Sequence, residues 1–199
     1  HKLPASGFHP IDDVQILSSM KRARLGTENL NIVLQTVLNP SNKPFFRAGQ
    51  RWHIGDKVMQ LRNNYDKNIF NGDIGRILEI DTVQQLMLIN FDGQLLDYDF
   101  NELDELILAY AISVHKYQGS ECPCIVLPLH MSHFKLLYRH LLYTAITRGK
   151  QRVVLIGSKQ AVGLAVHNKE VLMRFTGLQD SLQSAFKKKP QTVLSDLRL

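Results

Sequence analysis

Two hydrophobic rhythms alternate along this chain. "DVQIL", from Asp13, is an apolar run of strand length. The segment "TENLNIVLQTVLNP" beyond a short basic link sets Leu30, Val33, Leu34, Val37 and Leu38 at the i, i+3, i+4, i+7, i+8 spacing of one helix face. Thr27 stands where an N-cap is expected, and Pro40 ends the pattern. Between Trp52 and Glu105 the rhythm shortens to "KVMQL", "IGRILEI", "QLMLINF" and "QLLDYDF", parted by polar turns, with Asp92-Gly93 as a hairpin signal. The first rhythm then returns. "LAYAISV" and "CIVLPL" read as strands, followed by a helix from about Ser132 to Thr147 and the strand "RVVLIG". Phe134, Leu137, Leu141 and Ala145 share one face of that helix, and Gly149 is its natural stop.

Strands alternating with helices predict a mostly parallel sheet, and the short runs predict a small antiparallel barrel. The expected architecture is an α/β domain over residues 10–50 and 106–165, interrupted by an inserted β-barrel at 51–105 and followed by a partly helical tail at 166–199. No stretch is long and apolar enough for a membrane helix, and the start "HKLPASGFHP" lacks the features of a secretory signal, so a cytoplasmic protein with no membrane partner is expected. Because the chain begins with His, it also reads as a piece of something longer. Cys122 and Cys124, its two cysteines, are too close in sequence for a disulfide framework.

Charge divides the chain further. Residues 51–105 carry five Lys/Arg against eleven Asp/Glu, and residues 106–160 carry seven against one, so an acidic module adjoins a basic one suited to a polyanion. Within the barrel the basic groups all precede residue 77. If the barrel touches nucleic acid, it does so through its first half, where Asn63, Asn64, Tyr65, Lys67 and Asn71 offer amides, a ring and a cation. The same residue types are what tight turns require.

Polar working groups of an α/β sheet gather in the loops at strand ends. Three loops carry them here: "SSMKRARLG", "HKYQGSE" and "YTAITRGK". Arg148 sits at the end of an apolar helix, where the macrodipole favours a cation and where a fixed guanidinium also suits a phosphate across a cleft. Cys122, Cys124, His130 and His133 fall within twelve positions, but their spacing is unusual for zinc, and no metal site is expected from them.

The stretches "ILSSMKRARLGTENLN", "AISVHKYQGSE" and "LLYTAITRGKQRVVLIG", in this order, resemble the fourth, fifth and sixth motifs of superfamily-one DNA helicases of the RecD-like branch. "GDKVMQLRNNYDKNIFNGDIGRI" resembles the SH3-like barrel that interrupts the second motor domain of that family. The resemblance spans roughly Asp13 to Gly157 and implies a RecA-like parallel-sheet motor domain carrying an SH3-like insertion. It implies that Arg22 and Arg148 both reach the terminal phosphate of ATP, with Arg148 as an arginine finger worth on the order of 10³ or more in rate. Gln118, Gly119 and Glu121 would lie at the nucleotide edge, Ser113, His115 and Lys116 would face a DNA single strand, and Tyr143 and Thr144 would support the finger.

Two departures stand out. Ala23 and Arg24 replace the family's usual glycine and proline, so the fourth-motif loop is expected to turn differently. Tyr117 stands where a small residue is common, and its ring either stacks on a base, worth about 1–3 kcal/mol, or packs against the barrel. ATP and Mg²⁺ are the implied cofactors, yet no G-x-x-x-x-G-K-[ST] loop and no aspartate-glutamate strand end precede the motifs. Both cofactors are therefore expected to need a first motor domain upstream of His1, and the chain alone to be inactive. The implied partners are single-stranded DNA, duplex junctions, that upstream domain, and other recombination or repair proteins. The whole enzyme would move 5′ to 3′. Two other readings remain: the helicase module of a conjugative relaxase or of an exodeoxyribonuclease V alpha subunit, and a stand-alone single-strand nucleic-acid binder without ATPase.

Overall fold

Along residues 7–169 and 181–184, which the computed structural model describes, the elements begin with β1 (Val14–Ser18) and α1 (Thr27–Leu38). Next come β2 (Phe45–Arg47), β3 (Gln50–Trp52), β4 (Lys57–Gln60), β5 (Ile74–Asp81), β6 (Leu86–Phe91), β7 (Gln94–Asp99) and β8 (Leu106–Leu108). Then follow β9 (Ala111–Ser113), β10 (Cys122–Leu129), α2 (Arg139–Ile146), β11 (Gly149–Gly157) and α3 (Lys159–His167). Both expected modules form. Strands β11, β10, β1 and β9 make a parallel sheet in that order, and β7, β6, β5, β4 and β8 make an antiparallel one.

Strand alternation gives the parallel sheet two apolar faces. Leu17, Ile125 and Leu127 join Leu141, Ala145 and Ala161 of α2 and α3 in one core, while Val14, Cys124 and Val126 turn to the other face beside Phe8. The barrel has its own core around Trp52, Val58, Ile77, Met87 and Tyr98. Its hairpin turn at Asp92-Gly93 takes positive φ at both residues, as the sequence pair requires. Among the described residues no helix is long and apolar enough to cross a membrane.

"LAYAISV" is not one strand. Leu106–Leu108 pairs with barrel strand β4, whereas Ala111–Ser113 pairs with β1, so the chain passes between modules at Ala109-Tyr110, beyond the expected boundary at 105/106. A break buried between two sheets leaves backbone groups to satisfy. Side-chain amides take them: Asn31 accepts from Ala111 N (2.7 Å) and donates to the Leu108 and Ala111 carbonyls, and Gln15 donates to the carbonyls of Ala109 and Tyr110.

This need also reorients α1. Its inward face carries Asn31 and Gln35, with Leu34 and Leu38 half-buried against the barrel, and Val33 and Val37 of the expected stripe are exposed. Hydrogen-bond demand at the junction outweighs the hydrophobic period. Gln35 leads to Asp56, which is fully buried and accepts from His53 N (2.7 Å), Gln35 Nε2 (2.6 Å), Asn39 Nδ2 (2.8 Å) and the Tyr110 hydroxyl (2.8 Å). Burial, and then the charge of Asp56, push the Tyr110 phenol above its ordinary range. One carboxylate thus ties α1, the barrel and the crossing strand together.

The helix expected over 132–147 is also interrupted. A 3-10 segment, Met131–Leu136, precedes α2, and Phe134 is exposed rather than on a buried face. Thr27 opens α1 instead of capping it; Gly26 holds the N-cap position. The strand expected at 152–157 begins at Gly149, which opens β11 rather than ending a helix directly. Helix α3 runs to His167, past the expected 165/166 boundary. The chain divides into compact units at His1–Lys169 and Glu170–Leu199. In the second, residues 181–184 are helical, and the rest of the expected tail lies outside the described residues.

Candidate functional site

A parallel sheet has two chemically different ends, and the motif residues occupy both. At the carboxyl end Ser18 and Ser113 lie in register, so the loops after β1 and β9 emerge side by side. The Ser18 hydroxyl closes the first loop by donating to the carbonyls of Leu25 (2.7 Å) and Met20 (3.2 Å). A Cβ on Gly26 would come 2.2 Å from the Arg22 carbonyl oxygen, so the chain can close this tightly only around glycine. Ala23 has φ +78°, the left-handed conformation that glycine adopts without strain. The closed loop leaves Lys21, Arg22 and Arg24 exposed.

His115 and Lys116 are exposed beside this loop. Partial burial, and then the neighbouring charge of Lys21, lower the Lys116 pKa. His133 sits behind, buried, with Nδ1 3.5 Å from the Ser19 hydroxyl; burial first and His130 second lower its pKa. The barrel rim reaches the same end, since the Cα of Gly72 lies close to the Lys116 carbonyl and a Cβ there would be 3.9 Å from it. The loop before Gly72 carries the exposed, edge-on pair Tyr65 and Phe70, centroids 6.2 Å apart, and exposed Asn71. Asn64 is consumed by turn chemistry, accepting from Lys67 N and bridging Ile69. Lys67 is bound to Glu102 (2.6 Å) and lies over the Tyr98 ring, so it is not the free cation expected.

From Ser113 the chain crosses over β1 in eight residues to begin β10 at the sheet's amino end. Tyr117 N donates to the Ser113 carbonyl, Ser120 N donates to the Tyr117 carbonyl, and Gly119 turns at φ +92°. Cys122 N then donates to the Arg148 carbonyl (3.0 Å). The Arg148 guanidinium lies against the end of the crossover: Nη1 is 3.5 Å from the Ser120 carbonyl, Nη2 donates to the Thr147 hydroxyl (3.3 Å), and buried Nε has no hydrogen-bond partner. A buried orphan N–H is costly and fits an anion that completes it. Glu121 is exposed, 3.4 Å from Lys150, and Gln118 is exposed on the same turn.

This geometry bears on three expectations. Arg22 and Arg148 do not converge. Arg22 follows the carboxyl end of β1 and Arg148 adjoins Cys122 at the sheet's amino end, with about 15 Å of strand between the two ends. Tyr117 is only 3 % exposed and packs in the core with Met59 of the barrel, so its ring is not offered to a base. Thr144 donates to the His140 carbonyl and Tyr143 is exposed; Thr147 and Ser120, which the sequence did not single out, are the contacts of Arg148. Cys122 and Cys124 lie at the amino end of β10 and His130 and His133 beyond its carboxyl end.

Residues 30–91 match the family described as the SH3 domain of ATP-dependent RecD-like DNA helicases, and residues 108–156 match the UvrD-like helicase C-terminal domain. The chain is 37% identical over 152 residues to the ATP-dependent RecD2 DNA helicase of Deinococcus radiodurans, covering 76% of this chain and 21% of that protein. It is 32% identical over 133 residues to the RecBCD enzyme subunit RecD of Mycobacterium tuberculosis, covering 67% of this chain and 23% of that one. The chain thus spans between a fifth and a quarter of the length of these relatives. A structure of Pif1 helicases, solved for DNA unwinding at forked duplex DNA, superposes on 89% of this chain and 45% of its own at TM-score 0.56 and 17% identity, a likeness of fold.

Proposed function

The chain belongs to the RecD-like superfamily-one DNA helicases, and from that premise we propose that it is the second motor domain of an ATP-dependent cytoplasmic enzyme that moves along single-stranded DNA. The observation that carries this reading is the crossover Val114–Glu121, which begins beside Lys21 at one end of the sheet and finishes against Arg148 at the other. DNA lies across the carboxyl end, on Ser113, His115 and Lys116, on the exposed arginines Arg22 and Arg24, and on Tyr65 and Asn71 of the barrel rim. Several solvated cations suit a flexible phosphate chain, and a ring suits bases of any identity.

The amino end serves the nucleotide. Arg148, with an unsatisfied N–H, suits a phosphate oxygen, and Gln118, Gly119 and Glu121 border the same edge. When bound, ATP and Mg²⁺ supply the phosphoryl group and the charge that screens it. This chain's contribution is a guanidinium held ready to stabilise negative charge. Glu121 faces Lys150 rather than a second carboxylate, and the family resemblance assigns the magnesium ligands and phosphate-binding loop to a first motor domain. Similarity to subunits of a RecBCD enzyme supports a second reading, in which the domain serves within a larger assembly. The 5′ to 3′ direction follows the family resemblance.

Titration of a labelled oligonucleotide of about 15 nucleotides tests the DNA half at two salt concentrations, with each lost phosphate contact lowering the salt slope by about 0.7. Lys116→Ala is expected to weaken binding and flatten that slope. A slope equal to wild type removes Lys116 from the interface. ATPase measured after joining the chain to a first motor domain separates a motor from a stand-alone binder, which gains no activity.

A further inference from the structure

Tyr117 is a bulky side chain of the crossover that neither end of the sheet uses. Its ring is buried with Val114, Cys122 and the barrel's Met59, and Ile74 of β5 packs against the same cluster. Two clefts, of about 530 and 430 Å³, separate the barrel rim from the crossover, and Tyr117, Ile74, Asp92 and Glu121 line both. Tyr117 thus lies where the two clefts adjoin. Its main chain fixes the two halves of the turn, donating to the Ser113 carbonyl at 3.1 Å and accepting from Ser120 N at 3.3 Å. Burial first, and the neighbouring Cys122 second, raise the pKa of its phenol, while the Cys122 thiol donates to the Asp13 carbonyl (3.2 Å). Ser120 and Cys122 are the residues of this segment that hold Arg148, through a carbonyl to Nη1 and an amide to the Arg148 carbonyl.

We propose that Tyr117 is a positioning residue for Arg148: its ring, wedged between barrel and sheet, fixes the Ser120–Cys122 segment against which the guanidinium rests. A small side chain at this position joins the two clefts and frees that segment to move toward the barrel. The position of the arginine then depends on barrel packing as well as on helix α2. This rests on the reading of Arg148 as the nucleotide-facing arginine, and it extends that reading to a residue that touches neither DNA nor nucleotide.

The test is a spectroscopic one on the 199-residue chain. The Nε–H resonance of Arg148, assigned with Arg148→Lys, is recorded by nitrogen-15 NMR in the wild type, Tyr117→Phe and Tyr117→Ser, with circular dichroism as the control for folding. Tyr117→Phe keeps the wedge, so the resonance stays in place. Tyr117→Ser is expected to displace it and to raise its exchange with water about tenfold or more, as local protection is lost. A folded Tyr117→Ser variant with wild-type resonance and exchange overturns the proposal. Should that variant fail to fold, Tyr117→Leu decides: it keeps apolar volume without the reach of the ring, so a displaced resonance supports the wedge and an undisplaced one overturns it. Because the arginine is read without nucleotide, an Arg148 that proves irrelevant to ATP hydrolysis overturns the functional reading and leaves this measurement standing.

Discussion

The two ends of the parallel sheet carry arginines in opposite conditions. At the carboxyl end Arg22 and Arg24 stand exposed on a closed loop beside Lys21 and Lys116, and partial burial and then the charge of Lys21 lower the Lys116 pKa. At the amino end Arg148 is half-buried and rests on the Ser120 carbonyl and the Thr147 hydroxyl. A polyanion is held by numbers, since each solvated cation adds a modest, salt-sensitive term. A developing charge on one phosphoryl group is stabilised by preorganisation, which needs a guanidinium already in place. Under the proposed function, one cation type serves two tasks according to burial.

The largest expected effect tests that division directly. In a protein joined to a first motor domain, Arg148→Ala is expected to lower the DNA-stimulated kcat by on the order of 10³, with oligonucleotide affinity nearly unmoved. Arg22→Ala is expected to raise the DNA concentration needed for half-stimulation several-fold, by the loss of one solvated phosphate contact. Steady-state ATPase against DNA concentration measures both. A kcat defect in Arg22→Ala as deep as that of Arg148→Ala breaks the comparison.

A smaller effect concerns pH at the carboxyl end. The folded-state pKa of His133 is lowered, so the unfolded chain takes up its proton first as pH falls. Stability is then lost as pH drops through the unfolded value, about 6.5, toward the lower folded one. Thermal unfolding between neutral and mildly acidic pH is expected to show a falling Tm that His133→Gln flattens. An unchanged pH profile in that variant removes His133 from the acid response.

The smallest effect lies in the loop that presents Arg22. Ala23→Gly is expected to raise stability by about 0.5–1 kcal/mol, because relief from a left-handed φ exceeds the entropy glycine brings. Denaturant midpoints read it. A destabilised Ala23→Gly variant contradicts strain at this turn and with it the account of how the arginine loop is closed.

Much of this was legible in the chain, and the failures have physical causes. Strands β1, β4, β5, β6, β7 and β10 fall where apolar runs announced them, because runs buried on a sheet face need little beyond their own composition. The stripe of α1 misled, since Asn31 turns inward to satisfy a backbone break that exists only once two sheets meet, and Gln35 turns inward to the buried Asp56 carboxylate. The lone strand seen in "LAYAISV" misled for the same reason: its first residue, Leu108, ends a strand paired with β4, and Ala111–Ser113 pairs with β1. Motif order singled out the arginines but not their separation, and whether Tyr117 stacks on a base or packs against the barrel is decided by its burial in the core that Met59 shares.

The sequence by itself determined the modules, the inserted barrel, the basic loops and the three motifs, because each is a local pattern of residue types. The tertiary structure alone decided which polar groups face which end of the sheet. That choice depends on strand direction and register, where Ser18 meets Ser113 and Cys122 meets Arg148. It placed two arginines expected at one phosphate at opposite ends of the sheet, and of the two settings open to Tyr117, a base or the barrel, it chose packing against the barrel.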